Sequence, residues 1–153
     1  MTDPLAIRQE LRGLVDAYAT ACDGKDGGAF AALFTHDATL AIYQPFEDQA
    51  VATLEGRAAM PAAIAPLSRY RATLHLMANH TATLQDDGEA TGETYCLAHH
   101  LRATTDAGVE DLVMMIRYGD RYARTGEGWR FARRDVRILW SEVHLATDAP
   151  IPL

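Results

Sequence analysis

Cysteine is scarce in this chain: only Cys22 and Cys96 occur, each among small or apolar residues. Two such thiols point to reduced core side chains rather than a disulfide framework. Basic excess is missing too. Fourteen Lys and Arg stand against 21 Asp and Glu, a formal net charge of −7, which leaves a nucleic-acid binder no electrostatic footprint. No apolar run approaches the length of a membrane span. The opening MTDPLAIRQE is acidic and lacks the basic and apolar regions of a signal peptide, so a cytoplasmic protein is expected. There are no repeats, low-complexity tracts or interdomain linkers. Nor is there a Gly-rich phosphate loop, a GxSxG elbow or a CxxC pair. What remains, at 153 residues and 48% apolar, reads as one globular domain over residues 1–153.

Helical signals come first. Thr2 or Asp3 can cap a helix with Pro4 in its first turn. Leu5, Leu11, Leu14, Val15, Tyr18, Ala19 and Cys22 recur near helical spacing, and Gly24 ends the run after Asp23. A second short helix is expected in DGGAFAALF, capped by Asp26, with Phe30, Leu33 and Phe34 inward. Residues 37–43 read as a strand, and VATLE as a short edge strand. A third helix is expected over RAAMPAAIAPL after Gly56, although Pro61 fits only a first turn. From Ala72 onward everything reads as long strands, with turns at Asp86–Gly88 and at GEG 126–128. Helices followed by antiparallel strands give an α+β protein. A strongly curved, mostly antiparallel sheet wrapped around about three helices would leave an internal pocket at one end.

Four of the six histidines, His75, His80, His99 and His100, fall within residues 72–105. Imidazole is the side chain most easily tuned to exchange a proton near neutral pH. On a strand, His75, Met77 and Asn79 share one face and His80 takes the other. On the next arm, Ala90, Gly92, Thr94, Cys96, Ala98 and His100 share a face of small residues, which suits a cavity wall or tight packing. His99 belongs to the opposite face, with Glu93, Tyr95 and Leu97. One conflict stands out: Leu74, Leu76, Ala78, Ala82 and Leu84 form the more apolar face of the first arm. Either both faces are covered, as in an oligomer, or a bulge changes the phase.

Three segments carry a family likeness: YATACDGKDGGAFAALFTHDATL, then Gly56 with LHLMANHTATLQDDGEATGETY, then GDRYARTGEGWRFARRDV. Together they span nearly the whole chain. They resemble the cone-shaped nuclear transport factor 2 superfamily and, within it, the SnoaL-like group. That fold hosts several reactions and many binding-only members. Members similar to scytalone dehydratase, bile-acid dehydratases and hexachlorocyclohexane dehydrochlorinase use an Asp–His pair. The resemblance places that pair at Asp23 and His75, with Tyr18 at the pocket tyrosine of bile-acid dehydratases. A second pocket histidine falls at His100, or one residue away at His99. Cys22 stands where scytalone dehydratase has a tyrosine, which argues against the same substrate.

These residue types suit proton abstraction beside a carbonyl or a leaving group. Imidazole is the base, and a carboxylate behind it sets the tautomer. His75 is thus expected as base and Asp23 as its orienting group, with Tyr18 or His100 donating to a substrate oxygen. The plain alternatives are a turn acid for Asp23 and a half-buried strand histidine for His75. Arg134 could reach a carboxylate or enolate, or form a buried salt bridge. Tyr43, Asn79, Cys96, Met115, Trp140 and Phe34 are candidate pocket residues, although core packing is the default for Tyr43, Met115, Trp140 and Phe34. His75, His100 and Asp23 also have the composition of a two-His, one-carboxylate iron site, but nothing in their spacing is metal-specific, so no metal and no cofactor is expected. The expectation is a lyase of dehydratase type acting on an apolar cyclic, polyketide-like or steroid-like molecule. An isomerase or cyclase with the same proton shuttle stays open, as does a non-catalytic small-molecule-binding protein. The long strands also call for a homodimer or homotrimer to cover an apolar outer face.

Overall fold

The computed structural model describes residues 3–85, 88–104, 108–147 and 149. Helix α1 spans Pro4–Asp23, with the Asp3 carboxylate accepting from the Leu5 N–H as its cap. Thr2, the other candidate cap, lies outside the described residues. Ile7, Leu11, Leu14, Val15, Tyr18 and Cys22 recur at helical spacing and are all buried. Each such aliphatic side chain contributes ~1.5–3 kcal/mol. Leu5, expected on that face, is instead exposed, and Ile7 takes the inward place. Gly24 caps the helix in an ordinary right-handed conformation, and the left-handed step that follows falls on Lys25, at φ 53°.

Helix α2 is Gly27–Ala32, capped by Asp26 through the Ala29 N–H. Phe34 is not its last inward residue but the first of strand β1, Phe34–Tyr43. The edge strand β2 is Ala52–Glu55. The third helical stretch is broken, because Pro61 has no N–H to donate. Helix α3 therefore begins at Pro61 and runs to Ile64, between single turns at Arg57–Ala59 and Ala65–Arg69.

Strands β3 (Ala72–Leu84), β4 (Glu89–Ala103), β5 (Val109–Thr125) and β6 (Gly128–Ala146) follow. The order is β2-β1-β6-β5-β4-β3, antiparallel throughout except that β1 runs parallel to β6. This is an open six-stranded mixed sheet, not a closed barrel, with α1 and the core on its inner face. Between β3 and β4 the ladder closes at Leu84 and Ala90; Gly88 is left-handed, and Asp86 and Asp87 lie outside the described residues. No helix among the described residues is long and apolar enough to cross a membrane.

Bulges decide which side chains face inward. On β3, Met77 pairs with Cys96 but His80 pairs with Thr94, so Ala78 and Asn79 together oppose Tyr95. The extra residue flips the phase. Thr73, His75 and Met77 face inward before it, and His80, Ala82 and Leu84 after it. Of the two alternatives left open by the sequence, the bulge is present: Leu74 and Leu76 point outward before it, and Ala82 and Leu84 inward after it. Arg12 of α1 secures it, donating to the carbonyls of Met77 and Ala78 at 3.0 Å each. A second bulge puts Leu139 out of register between Ile138 and Trp140. Deeper in, Gly92 is required: a Cβ there would lie 2.8 Å from the Thr81 carbonyl and 2.9 Å from the Tyr122 ring.

Candidate active site

Asp23, the last residue of α1, points across to β3. Its Oδ1 accepts from the Thr73 hydroxyl at 2.9 Å and lies 2.7 Å from His75 Nδ1; its Oδ2 accepts from the His75 N–H at 3.0 Å. Three donors from one strand hold the carboxylate in place. A carboxylate only accepts, so Nδ1 carries the proton and Nε2 of a neutral His75 keeps its lone pair. The His75 side chain is 7% exposed and that of Asp23 26%, so solvent reaches the acid more than the imidazole.

His100 stands beside His75, ring centroids 5.5 Å apart and nearly perpendicular. Its Nδ1 lies 3.2 Å from the Leu112 carbonyl, which can only accept, so Nε2 is left as an acceptor. Burial lowers the His100 pKa; the Leu112 carbonyl opposes this, and the neighbouring His75 adds to it. His100 is therefore neutral at neutral pH. It is suited to receive a hydrogen bond from a substrate hydroxyl rather than to protonate one, the reverse of the donor role expected from the sequence.

Both imidazoles border a cavity of about 270 Å³. Leu40, Ile42, Ile64, Leu67, Ile116 and Val136 supply much of its apolar wall. Its polar groups, besides the two histidines, are Tyr18, Cys22, Tyr70, Tyr118 and Arg69. Burial raises the pKa of Tyr18 and of Tyr118 far above the usual phenol value, so both remain hydroxyl donors. Burial likewise pushes the Cys22 thiol up to about 12, which makes it an inert wall rather than a nucleophile. The Tyr70 ring lies 4.8 Å from His100, and its hydroxyl accepts from Arg69 Nη2 at 2.9 Å.

The structure thus brings Tyr18, Asp23, His75 and His100 together. Tyr18 and Asp23, five residues apart on one helix, point in different directions: Tyr18 lines the cavity, whereas Asp23 reaches it through His75. The other candidates lie elsewhere. Asn79, inside the bulge, is exposed rather than in line with His75. Met115 is on the outer face, and Met114 lines the cavity in its place. Trp140, past the second bulge, pairs with Met115 and is half-exposed on that same face. Tyr43 lies under the Arg137 guanidinium, 3.9 Å from its ring centre, and its strand neighbour Ile42 meets the cavity instead. Cys96 faces inward but is not part of the cavity wall; burial raises its thiol to about 11. Arg134 is fully buried behind the wall. It forms two hydrogen bonds to Asp120, at 2.7 and 2.8 Å, with its guanidinium 4.1–4.2 Å from the ring centres of Tyr18, Tyr118 and Phe131. His99 points away from the cavity and pairs with Asp111 at 2.6 Å. His80, read on the face opposite His75, faces inward on the far side of the bulge, 3.5 Å from the Tyr122 hydroxyl.

Tyr70 and Tyr118 were not anticipated. Tyr118 was within reach, because Met114, Ile116 and Tyr118 alternate on one face of β5. Tyr70, in the turn before β3, left no periodic signal. Among the described residues, no group of three or more His, Cys, Asp or Glu side chains is arranged to hold a metal ion.

A family model described as a SnoaL-like domain matches residues 3–135. Nothing among curated proteins matches the chain. Solved structures with the same fold include a candidate scytalone dehydratase from Novosphingobium aromaticivorans, 23% identical, with TM-score 0.76 over 97% of this chain and 91% of that one. A second is a hexachlorocyclohexane dehydrochlorinase from Novosphingobium barchaimii, 16% identical, with TM-score 0.77 over 97% of both chains. An NTF2-like protein with a cystatin-like fold, also from Novosphingobium aromaticivorans, is 26% identical, with TM-score 0.66 over 88% and 83%.

Proposed function

The chain belongs to the SnoaL-like domain family, and from that premise we propose that it is a cofactor-independent lyase that eliminates water from a small cyclic β-hydroxy carbonyl compound. The observation that carries this reading is the 2.7 Å contact between His75 Nδ1 and Asp23 at the edge of a cavity with an aliphatic wall. His75 Nε2 takes the proton from the carbon beside the carbonyl. The electron pair left behind forms the new double bond as the carbon–oxygen bond to the β-hydroxyl breaks. The departing hydroxide takes the proton back from the imidazolium, so water leaves and the base is restored. Asp23 stabilises that imidazolium while it exists. The Tyr18 and Tyr118 hydroxyls donate to the carbonyl oxygen as enolate charge develops there, and neutral His100 accepts from the leaving hydroxyl.

The cavity volume favours one or two rings over a tetracyclic steroid, because ~150 Å³ already holds benzene. Omitting the leaving group turns the same shuttle into an isomerisation, which solvent deuterium entering the substrate without loss of water would reveal. The principal test is turnover of one- and two-ring β-hydroxy ketones by the wild type and by His75→Ala. A fall of ~10²–10⁴-fold in kcat is expected. Equal rates in the two proteins would remove His75 from the mechanism. Tight binding without turnover in the wild type would establish a binding protein instead.

A further inference from the structure

The cavity that His75 and His100 border has one charged side chain in its wall that the elimination does not use. Arg69 stands there, at the end of the single turn Ala65–Arg69. Its guanidinium folds back over Tyr70, 4.9 Å from the ring centre, and Nη2 donates to the Tyr70 hydroxyl at 2.9 Å. That bond uses one of five N–H donors. No carboxylate among the described residues pairs with Arg69, whereas Arg57, Arg102, Arg117 and Arg134 each pair with an Asp or Glu.

A second cation lies close by. Lys25, in the left-handed turn after α1, donates from Nζ to the Tyr70 carbonyl at 2.8 Å, and it too has no carboxylate partner among the described residues. Two positive charges therefore flank Tyr70 in a chain whose net charge is −7. Tyr70 in turn connects them to the reacting groups. It is buried, its ring lies 4.8 Å from that of His100, and the His100 ring lies 5.5 Å from that of His75. The free cation and the base are thus separated by two packed rings.

We propose that Arg69 selects substrates bearing a carboxylate, which it receives at the cavity edge while the carbon to be deprotonated lies at His75 Nε2. This deepens the elimination reading, on which it rests for the reacting end of the substrate. A planar guanidinium fork matches a carboxylate with two parallel hydrogen bonds. Arg69 is exposed, so the anion it holds stays partly in water and avoids the full cost of burial. A phosphate would call for a nest of backbone N–H groups. The turn that ends at Arg69 offers Pro66 near its start, which has no N–H. Tyr18, Tyr118 and neutral His100, also in the wall, carry no positive charge. A carboxylate is therefore held at one end only, which fixes the direction in which the substrate lies.

The test begins with inert ligands, so that it does not depend on turnover. Calorimetric titration of the full chain with naphthalene carboxylate, and with the uncharged carboxamide of nearly the same shape, reads the preference directly. The carboxylate should bind ~10–100-fold more tightly than the amide, and Arg69→Met should abolish that difference without weakening the amide. Arg69→Lys should restore part of it, because the charge returns without the fork. For β-hydroxy ketones that turn over, a carboxylate on the ring should lower KM by a similar factor in the wild type but not in Arg69→Met, with kcat little changed. Equal affinity for the two ligands in the wild type, absence of binding by both included, overturns the proposal. So does a preference that survives Arg69→Met. A carboxylate preference without turnover of any β-hydroxy ketone would keep Arg69 in this role and remove the elimination; turnover with no such preference would do the reverse.

Discussion

Asp23 does two jobs with one carboxylate. It sets the tautomer of His75, and it tethers the end of α1 to β3 through Thr73 and the His75 N–H. These roles separate by substitution. Asp23→Asn keeps the size of the side chain but can offer a donor where Nδ1–H needs an acceptor, which favours the wrong tautomer. We expect kcat to fall by ~10²–10⁴-fold with substrate affinity little changed. A rate equal to wild type would show that the tautomer is set by something else. Thr73→Val removes one hydrogen bond to the same carboxylate and leaves the imidazole contact intact. The expected cost is ~1.5–3 kcal/mol in urea denaturation, with only a small effect on kcat. A large fall in kcat with unchanged stability would instead place Thr73 in the chemistry.

Among the elements, β3 is the one whose reading matters most, because a single bulge assigns its two halves to opposite parity. The bulge leaves two carbonyls turned out of the ladder, and the Arg12 guanidinium accepts the task of bonding both from α1. Arg12→Met should therefore destabilise the fold by ~1.5–3 kcal/mol, as measured by chemical denaturation. Asn79→Ala at the exposed bulge position should leave both stability and kcat/KM close to wild type. Loss of activity in Asn79→Ala would return that residue to the site. The same bulge explains what was legible in the sequence. Asp23 and His75 were paired by the family likeness, and the pairing holds in the structure because His75 precedes the change of phase on its strand. The apolar face of Leu74, Leu76, Ala82 and Leu84, set against the opposite face of His75, already signalled that one register could not serve the whole strand, but nothing in the composition marked residues 78 and 79 as the break. Trp140 was misplaced for the same reason, one residue beyond Leu139. Met115 was a different error, in which bulk was preferred over parity; Tyr118 and Met114 alternate correctly.

For the molecule as a whole, burial on the inner side of the sheet favours the neutral forms of Tyr18, Tyr118, Tyr122, Cys22, Cys96, His80 and His100. Burial lowers the pKa of both His80 and His100, from a usual value of 6.5. Near His80, Arg12 and Arg134 push the same way, and Asp120 and Asp16 oppose. The unfolded chain thus takes up protons below pH 6.5 that the folded chain refuses. Stability should be complete above that value and decline as the pH falls from 6.5 toward the folded pKa values. The histidine effect is read between pH 7 and 5, above the usual carboxylate range. Denaturation midpoints across that window should fall with acid in the wild type. They should fall less steeply in His80→Gln and in His100→Gln, and least in the double variant. The two histidines are on separate parts of the inner face, one beside Tyr122 and one beside Tyr70, so their effects should add. A wild-type midpoint flat from pH 7 to 5, or slopes unchanged by both substitutions, would mean that neither imidazole is held neutral by the fold. The neutral, accepting role given to His100 in the elimination would then fall with it.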